Sequence, residues 1–125
     1  MKVVDASAMI DVLTGGTRAD HLLALFDDDL FAPDLLLPEV FSFLRRMAGT
    51  GTLHDTDQLA AMLQKAPVEY LHTWPYAERM WSWRHNMSPY DATYVALAED
   101  LGATLITTDL RLAKAANGIV PVISV

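Results

Sequence analysis

Short β-prone runs alternate with helical stretches from one end of this chain to the other, and that alternation limits the fold more than any other feature. Lys2–Asp5 is β-prone and leads into a helix with Ser7 as its candidate N-cap and Gly15-Gly16 as its stop. A helix is expected over Ala19–Phe26, a strand over Leu30–Ala32, and a helix over Leu35–Met47 with Pro38 in its first turn and Gly49 beyond its end. Thr56–Gln64 reads as a helix and Val68–Thr73 as a strand. Met80, Trp83 and Met87, at i, i+3 and i+7, mark a helical stretch over Pro75–Asn86. Ser88-Pro89-Tyr90-Asp91 then opens a helix with a capping serine, a proline at the first helical position and an acid at the third; it runs to Leu101 and stops at Gly102. Ala103–Thr107 reads as a strand, Leu110–Ala116 as a helix stopped by Gly118, and Val120–Val125 as a last strand. Strands separated by helices need crossover connections, which predicts a three-layer α/β/α sandwich around a mostly parallel sheet.

No linker, repeat or shift in composition divides the 125 residues, so one domain over 1–125 is expected. No run approaches the roughly 18 apolar residues of a membrane span, and Met1-Lys2-Val3-Val4-Asp5 does not read as a signal peptide, so a cytoplasmic location is expected. The absence of cysteine excludes disulfides, thiolate metal sites and a cysteine nucleophile. The net charge of −7 argues superficially against a nucleic-acid partner. It does so less if acids are pooled in one site: without Asp5, Glu39, Asp91 and Asp109 the charge is −3 (−7 + 4). Basic residues cluster at Arg45-Arg46, Arg84-His85 and Arg111 with Lys114.

Each of these four acids has a structural explanation. Asp5 ends a strand and can bond loop amides; Glu39 lies in a first helical turn; Asp91 completes a capping arrangement with Ser88; Asp109 can cap the helix from Leu110. Their common placement adds a second reading. Asp5 and Asp109 follow strands, and Glu39 and Asp91 open helices, so all four belong near the carboxyl edge of the sheet, where such folds bind ligands. Two carboxylates about 5 Å apart repel by on the order of 3 kcal/mol at an effective dielectric near 20, so a cation is expected among them. Oxygen-only ligands suit Mg²⁺ or Mn²⁺. Crowding of like charges is expected to raise at least one of the carboxyl pKa values.

Four segments carry a resemblance. Val4-Asp5-Ala6-Ser7, Pro38–Arg46, Tyr90–Ala98 and Leu105–Leu112 resemble, in order and spacing, the signature segments of PIN-domain proteins, in particular the VapC ribonuclease toxins of toxin–antitoxin pairs. The resemblance spans the chain. It implies that Asp5, Glu39, Asp91 and Asp109 form an acidic quartet: Asp5, Asp91 and Asp109 as metal ligands, Glu39 completing the shell or deprotonating the attacking water. It also implies that Thr107 lines the site and that Ser7 orients Asp5 or a bound water; at Ser42 many relatives carry Asn. The implied activity is metal-dependent endoribonuclease cleavage by in-line attack of water, leaving a 5′-phosphate and a 3′-hydroxyl. The implied substrate is structured RNA such as transfer RNA; a VapB-like antitoxin and a second copy of the chain are the implied partners.

Other readings compete. Histidine acid–base catalysis without metal would need pairing, and His21, His54, His72 and His85 lie in separate elements. A PIN-like module that binds RNA or protein without cutting would share the fold. Phosphate-transferring relatives fit poorly: Asp5-Ala6-Ser7 is not Asp-x-Asp, and Thr107-Thr108-Asp109 stands where a receiver has lysine. Trp74, Trp81 and Trp83, with Met80 and Met87, are expected in the core, a dimer face being the alternative. Arg45-Arg46 reads as a solvated helix end, or as a contact to RNA backbone or to an acidic partner.

Overall fold

A computed structural model describes residues 1–125. Five strands form one sheet in the order β3-β2-β1-β4-β5: β1 (Lys2–Val4), β2 (Leu30–Pro33), β3 (Val68–Leu71), β4 (Thr104–Thr107) and β5 (Val122–Ser124). Every pairing is parallel, with Val3 opposite both Phe31 and Leu105. The crossovers carry α1 (Ala6–Leu13), α2 (Ala19–Leu25), α3 (Leu36–Gly49), α4 (Thr56–Lys65), α5 (Ala77–Ser82), α6 (Pro89–Leu101) and α7 (Leu110–Ala116).

Alternation along the central strands builds two cores. Val3 and Leu105 face one side with α6, α7 and Trp83; Val4 and Ile106 face the other with α1, α3 and Leu63 of α4. Covered on both faces, β1 and β4 have no polar face to show, which is why they read as continuous apolar runs. Helix α6 is buried from Asp91 through Ala98, nearly all round, because it lies between the sheet and the flanking helices α5 and α7. The chain lays down β1, β2 and β3 towards one edge, then returns past β1 to place β4 and β5. The reversal falls between β1 and β4, and a crevice opens beyond their carboxyl ends.

Three sequence expectations are corrected. The N-cap of α1 is Asp5, whose Oδ1 accepts from the Ala8 amide at 2.9 Å, and Ser7 lies inside the helix. The stretch Pro75–Asn86 is a 3₁₀ turn (Trp74–Tyr76), the short α5, and turns to Met87. Ser88, which precedes a proline and is extended at ψ 158°, separates this stretch from α6. With less than two turns available, one side of α5 meets the core: Trp83 is 7% exposed, while Trp74 and Trp81 are 79% and 68% exposed. The core expectation therefore holds for Trp83 and fails for the other two. In addition, Gly49 belongs to α3, and the left-handed residue after that helix is Gly51.

Gly102 closes α6 in the left-handed conformation, at φ 61° and ψ 32°, its amide returning to Ala98 and Glu99 carbonyls. A Cβ there meets no neighbouring atom, so the cost of a side chain is backbone strain alone. Gly102→Ala is expected to lower the free energy of unfolding by about 1 kcal/mol, read from urea midpoints at unchanged slope.

Candidate active site

The site is organised around Asp5, the first residue past β1. Its carboxylate is 3% exposed and accepts three protein hydrogen bonds: Ser7 Oγ at 2.8 Å, the Ala8 amide at 2.9 Å and Thr107 Oγ1 at 2.7 Å. Ser7 and Thr107 each accept in turn, Ser7 Oγ from the Thr108 amide and Thr107 Oγ1 from the Asp109 amide. Both hydroxyl protons are thus directed at Asp5, and the strand ends of β1 and β4 are tied through its side chain. Burial pushes the Asp5 carboxyl up to about 6; the Thr107, Ala8 and Ser7 bonds pull against it, and Asp109 adds a smaller upward push. The expected rise in a carboxyl pKa is therefore present, but its main cause is desolvation and like charge is a minor one.

Asp91 and Asp109 share a cation from the chain itself. Asp91, in the first turn of α6, is 5% exposed, and its amide donates to the Ser88 cap at 3.1 Å. The Arg111 guanidinium pairs with both Asp91 oxygens and reaches Asp109 Oδ2 at 3.3 Å. Asp109 also caps α7, its Oδ1 accepting from the Arg111 and Leu112 amides. The structural explanation of Asp109 is thus geometrically sound, and the cap leaves its other oxygen turned to Arg111. Glu39, in the first turn of α3, accepts at Oε1 from the buried Tyr94 hydroxyl at 2.6 Å. Burial and the Glu39 carboxylate both hold the Tyr94 proton on, raising that phenol far above its ordinary range.

All four acids line one cavity of about 470 Å³ at the β1/β4 reversal, together with Ser7, Ser42 and Arg46. Arg45 lies outside it, in an adjoining groove that shares Ser42 and Arg46. Thr107 is wholly buried beneath the cavity and acts through its bonds to Asp5 and Asp109. No histidine lines the cavity; His72 pairs with Asp34 at 2.7 Å. Two participants were not singled out from sequence. Tyr94 was legible as one helical turn from Asp91 in a segment already marked by its acid. Arg111 belongs to a basic cluster with Lys114, and nothing in the sequence says that its side chain turns back onto Asp91.

An all-oxygen donor set on one cavity suits a hard divalent cation. The side chains as placed do not close on one: no three of them are arranged to hold a metal ion. Arg111 already spends its charge on two of the four acids, so a divalent ion there would replace a guanidinium. The donors fit the ion by chemistry and by their shared cavity.

A PIN domain model matches residues 2–118. The chain is 38% identical to VapC ribonuclease Mb0985 of Mycobacterium bovis, with 98% of this chain and 96% of that protein covered. Its fold is similar to Mycobacterium tuberculosis VapC20, a Sarcin-Ricin loop cleaving toxin, at TM-score 0.73 and 23% identity over 92% of this chain and 95% of that one. It is also similar to a chain of a toxin–antitoxin complex from Klebsiella pneumoniae, at TM-score 0.71 and 19% identity over 99% and 97% of the two chains. With the matched model spanning nearly the whole sequence and a curated relative this similar end to end, the chain belongs to the PIN-domain family.

Proposed function

We propose that this protein is a metal-dependent endoribonuclease, the VapC-type toxin of a toxin–antitoxin pair, hydrolysing RNA at the quartet Asp5, Glu39, Asp91 and Asp109. The observation that carries this reading is the convergence of four carboxylates from four separate elements on one cavity at the β1/β4 reversal. Capping accounts for Asp109 and for one oxygen of Asp5; it does not account for Glu39 or for the burial of Asp91.

In this reading Asp5, Asp91 and Asp109 hold Mg²⁺ or Mn²⁺. When bound, such an ion neutralises charge on the scissile phosphate and makes water a better nucleophile. The chain supplies the rest. Donors on both oxygens of Asp5 fix how its carboxylate faces the cavity. Tyr94 pins Glu39 at Oε1, leaving Oε2 to take a proton from the attacking water. Arg111, released from Asp91, and Arg46 at the cavity wall are placed to bind phosphate oxygens. Ser7 and Thr107 position Asp5.

Several finer assignments extend from the relatives. The antitoxin partner is taken to be VapB-like, placing a basic side chain among the carboxylates, where Arg111 already shows that a guanidinium fits. The substrate is taken to be a structured RNA such as transfer RNA, the chain to work as a homodimer, and the compartment to be the cytoplasm; no helix is long and apolar enough to cross a membrane.

Asp91→Asn keeps the side-chain shape and removes the charge. It is expected to abolish RNA cleavage and growth inhibition while leaving the circular dichroism spectrum unchanged. Sequencing of RNA ends after expression of both forms checks this, with 5′-phosphates at wild-type cut sites and loss of cutting in EDTA. RNA bound but uncut by the wild type with either metal would favour the non-catalytic module.

The raised Asp5 pKa gives a stability prediction with a definite sign. A carboxyl whose folded pKa lies at about 6 instead of 3.8 favours folding fully below pH 3.8, and that contribution is lost as pH rises through 6. The loss amounts to about 3 kcal/mol at most. Asn retains the cap to Ala8, and the Ser7 and Thr107 hydroxyls can turn to accept from its amide. In EDTA, Asp5→Asn is expected to be more stable than wild type at pH 8 and indistinguishable near pH 4, by denaturant melts. Mg²⁺ should raise the wild-type melting temperature more at pH 8 than at pH 5.

Arg111 is largely exposed, so its hold on the acids is screened and worth about 0.5–1 kcal/mol. Calorimetric titration with Mg²⁺ is therefore expected to show Arg111→Gln binding about two- to fivefold more tightly than wild type. Weaker binding would mean that Arg111 supports the metal site and does not compete with the ion.

A further inference from the structure

The acid cavity is the middle of a longer furrow. On one side it shares Asp91 and Arg111 with a depression that includes Lys114, which in turn shares Met87 with a groove beside α5. That groove is walled by Met80, Trp81, Arg84, His85 and Pro89. On the other side the cavity continues into the groove of Phe41 and Arg45. Nothing in the quartet chemistry uses the α5 end, yet it carries an indole 68% exposed on the surface of the protein.

Charge singles out the same furrow. Of the nine lysines and arginines, Lys2, Arg18, Arg79 and Arg111 have carboxylate partners. Five have none, and four of those five, Arg45, Arg46, Arg84 and Lys114, line the furrow. A chain of net charge −7 thus keeps most of its unpaired positive charge on the track that leads into its acids. The Arg84 guanidinium lies over the Trp81 ring at 5.1 Å from the centroid and also donates to the Trp81 carbonyl at 3.2 Å. The guanidinium thereby places a cation over one face of the indole.

Resting on the nuclease reading, we propose that Trp81 is a stacking platform for an unpaired base of single-stranded RNA, outside the cleaved step, with Arg84 on the adjoining phosphate. An aromatic face accepts any base, while unpaired cations track the backbone. A second copy of this chain fits less well at this face, since it would leave Arg84 and His85 desolvated without partners. The platform makes an unpaired stretch on one side of the cut a requirement for tight binding. It therefore selects loops and single-stranded ends over duplex.

The test uses the full chain in EDTA, with fluorescence anisotropy of a labelled single-stranded RNA and of its paired duplex. Trp81→Ala is expected to weaken single-strand binding about fivefold to 150-fold, the loss of one stacked base, and to leave duplex binding unchanged. Trp81→Phe retains a ring and is expected to bind within a few-fold of wild type. Arg84→Gln is expected to weaken binding and to reduce the slope of log K against log salt by about 1, which Trp81→Ala should not do. Trp81 is exposed, so the melting temperature of each variant is expected to match wild type. Equal single-strand affinity for Trp81→Ala and wild type would overturn the platform while leaving the nuclease reading intact. A change from dimer to monomer in light scattering, with RNA affinity unchanged, would assign the face to a second copy and overturn it too. A wild-type chain that neither binds nor cuts RNA with Mg²⁺ or Mn²⁺ would sink the nuclease reading, and the platform with it.

Discussion

Burial of one carboxylate at the end of the central strand is the constraint around which this molecule is arranged. Val3 and Val4 point into opposite cores, so the chain leaves β1 with no exposed face, and Asp5 follows directly into the sheet edge. A carboxylate there is costly unless hydrogen-bonded, and Ser7, the Ala8 amide and Thr107 are aimed at it. Those three groups come from the start of α1 and the end of β4. The bond network that satisfies Asp5 therefore also clamps the two strands flanking the topological reversal. The remaining desolvation is visible in its raised pKa.

From that anchor the other acids follow as consequences of connection. The amide of Asp109 bonds the hydroxyl that serves Asp5, so the last acid is positioned by the first. Asp91 is delivered by the helix that crosses back to build β4, its start set by Ser88 and Pro89. Glu39 arrives on α3 and is steadied by Tyr94, one turn beyond Asp91 on α6. Each acid is held by neighbours that also hold the fold, so charge-removing substitutions that preserve shape separate chemistry from folding better than truncations do. Repulsion among the acids is offset in this state by Arg111, a cation from the same chain.

The fold was largely legible because it rests on local rules. Alternating elements imply crossovers, crossovers imply parallel pairing, and parallel pairing buried on both faces implies three layers. The errors fall where two local signals compete. Ser7 is a good cap, yet Asp5 precedes it by two residues and takes the position. The i, i+3, i+7 pattern of Met80, Trp83 and Met87 was correct about which side faces the core, and it overstated the helix, which ends at Ser82 and gives way to turns. Tryptophan content suggested a larger core than six helical residues can cover, which left Trp74 and Trp81 outside.

By itself the sequence determined the class of fold and the edge of the sheet at which Asp5, Glu39, Asp91 and Asp109 gather, because those follow from periodicity, capping and strand order. Tertiary structure alone decided how each acid is held. It set which groups bond each oxygen of Asp5, that Tyr94 holds Glu39, and that Arg111 turns back across 20 residues onto Asp91. It also joined Trp81 and Arg84 to the acid cavity through a shared furrow. The physical reason is range. Backbone preferences act over a few residues and are written in order along the chain, whereas desolvation and charge pairing depend on distances in space that exist only after the strands have been laid side by side.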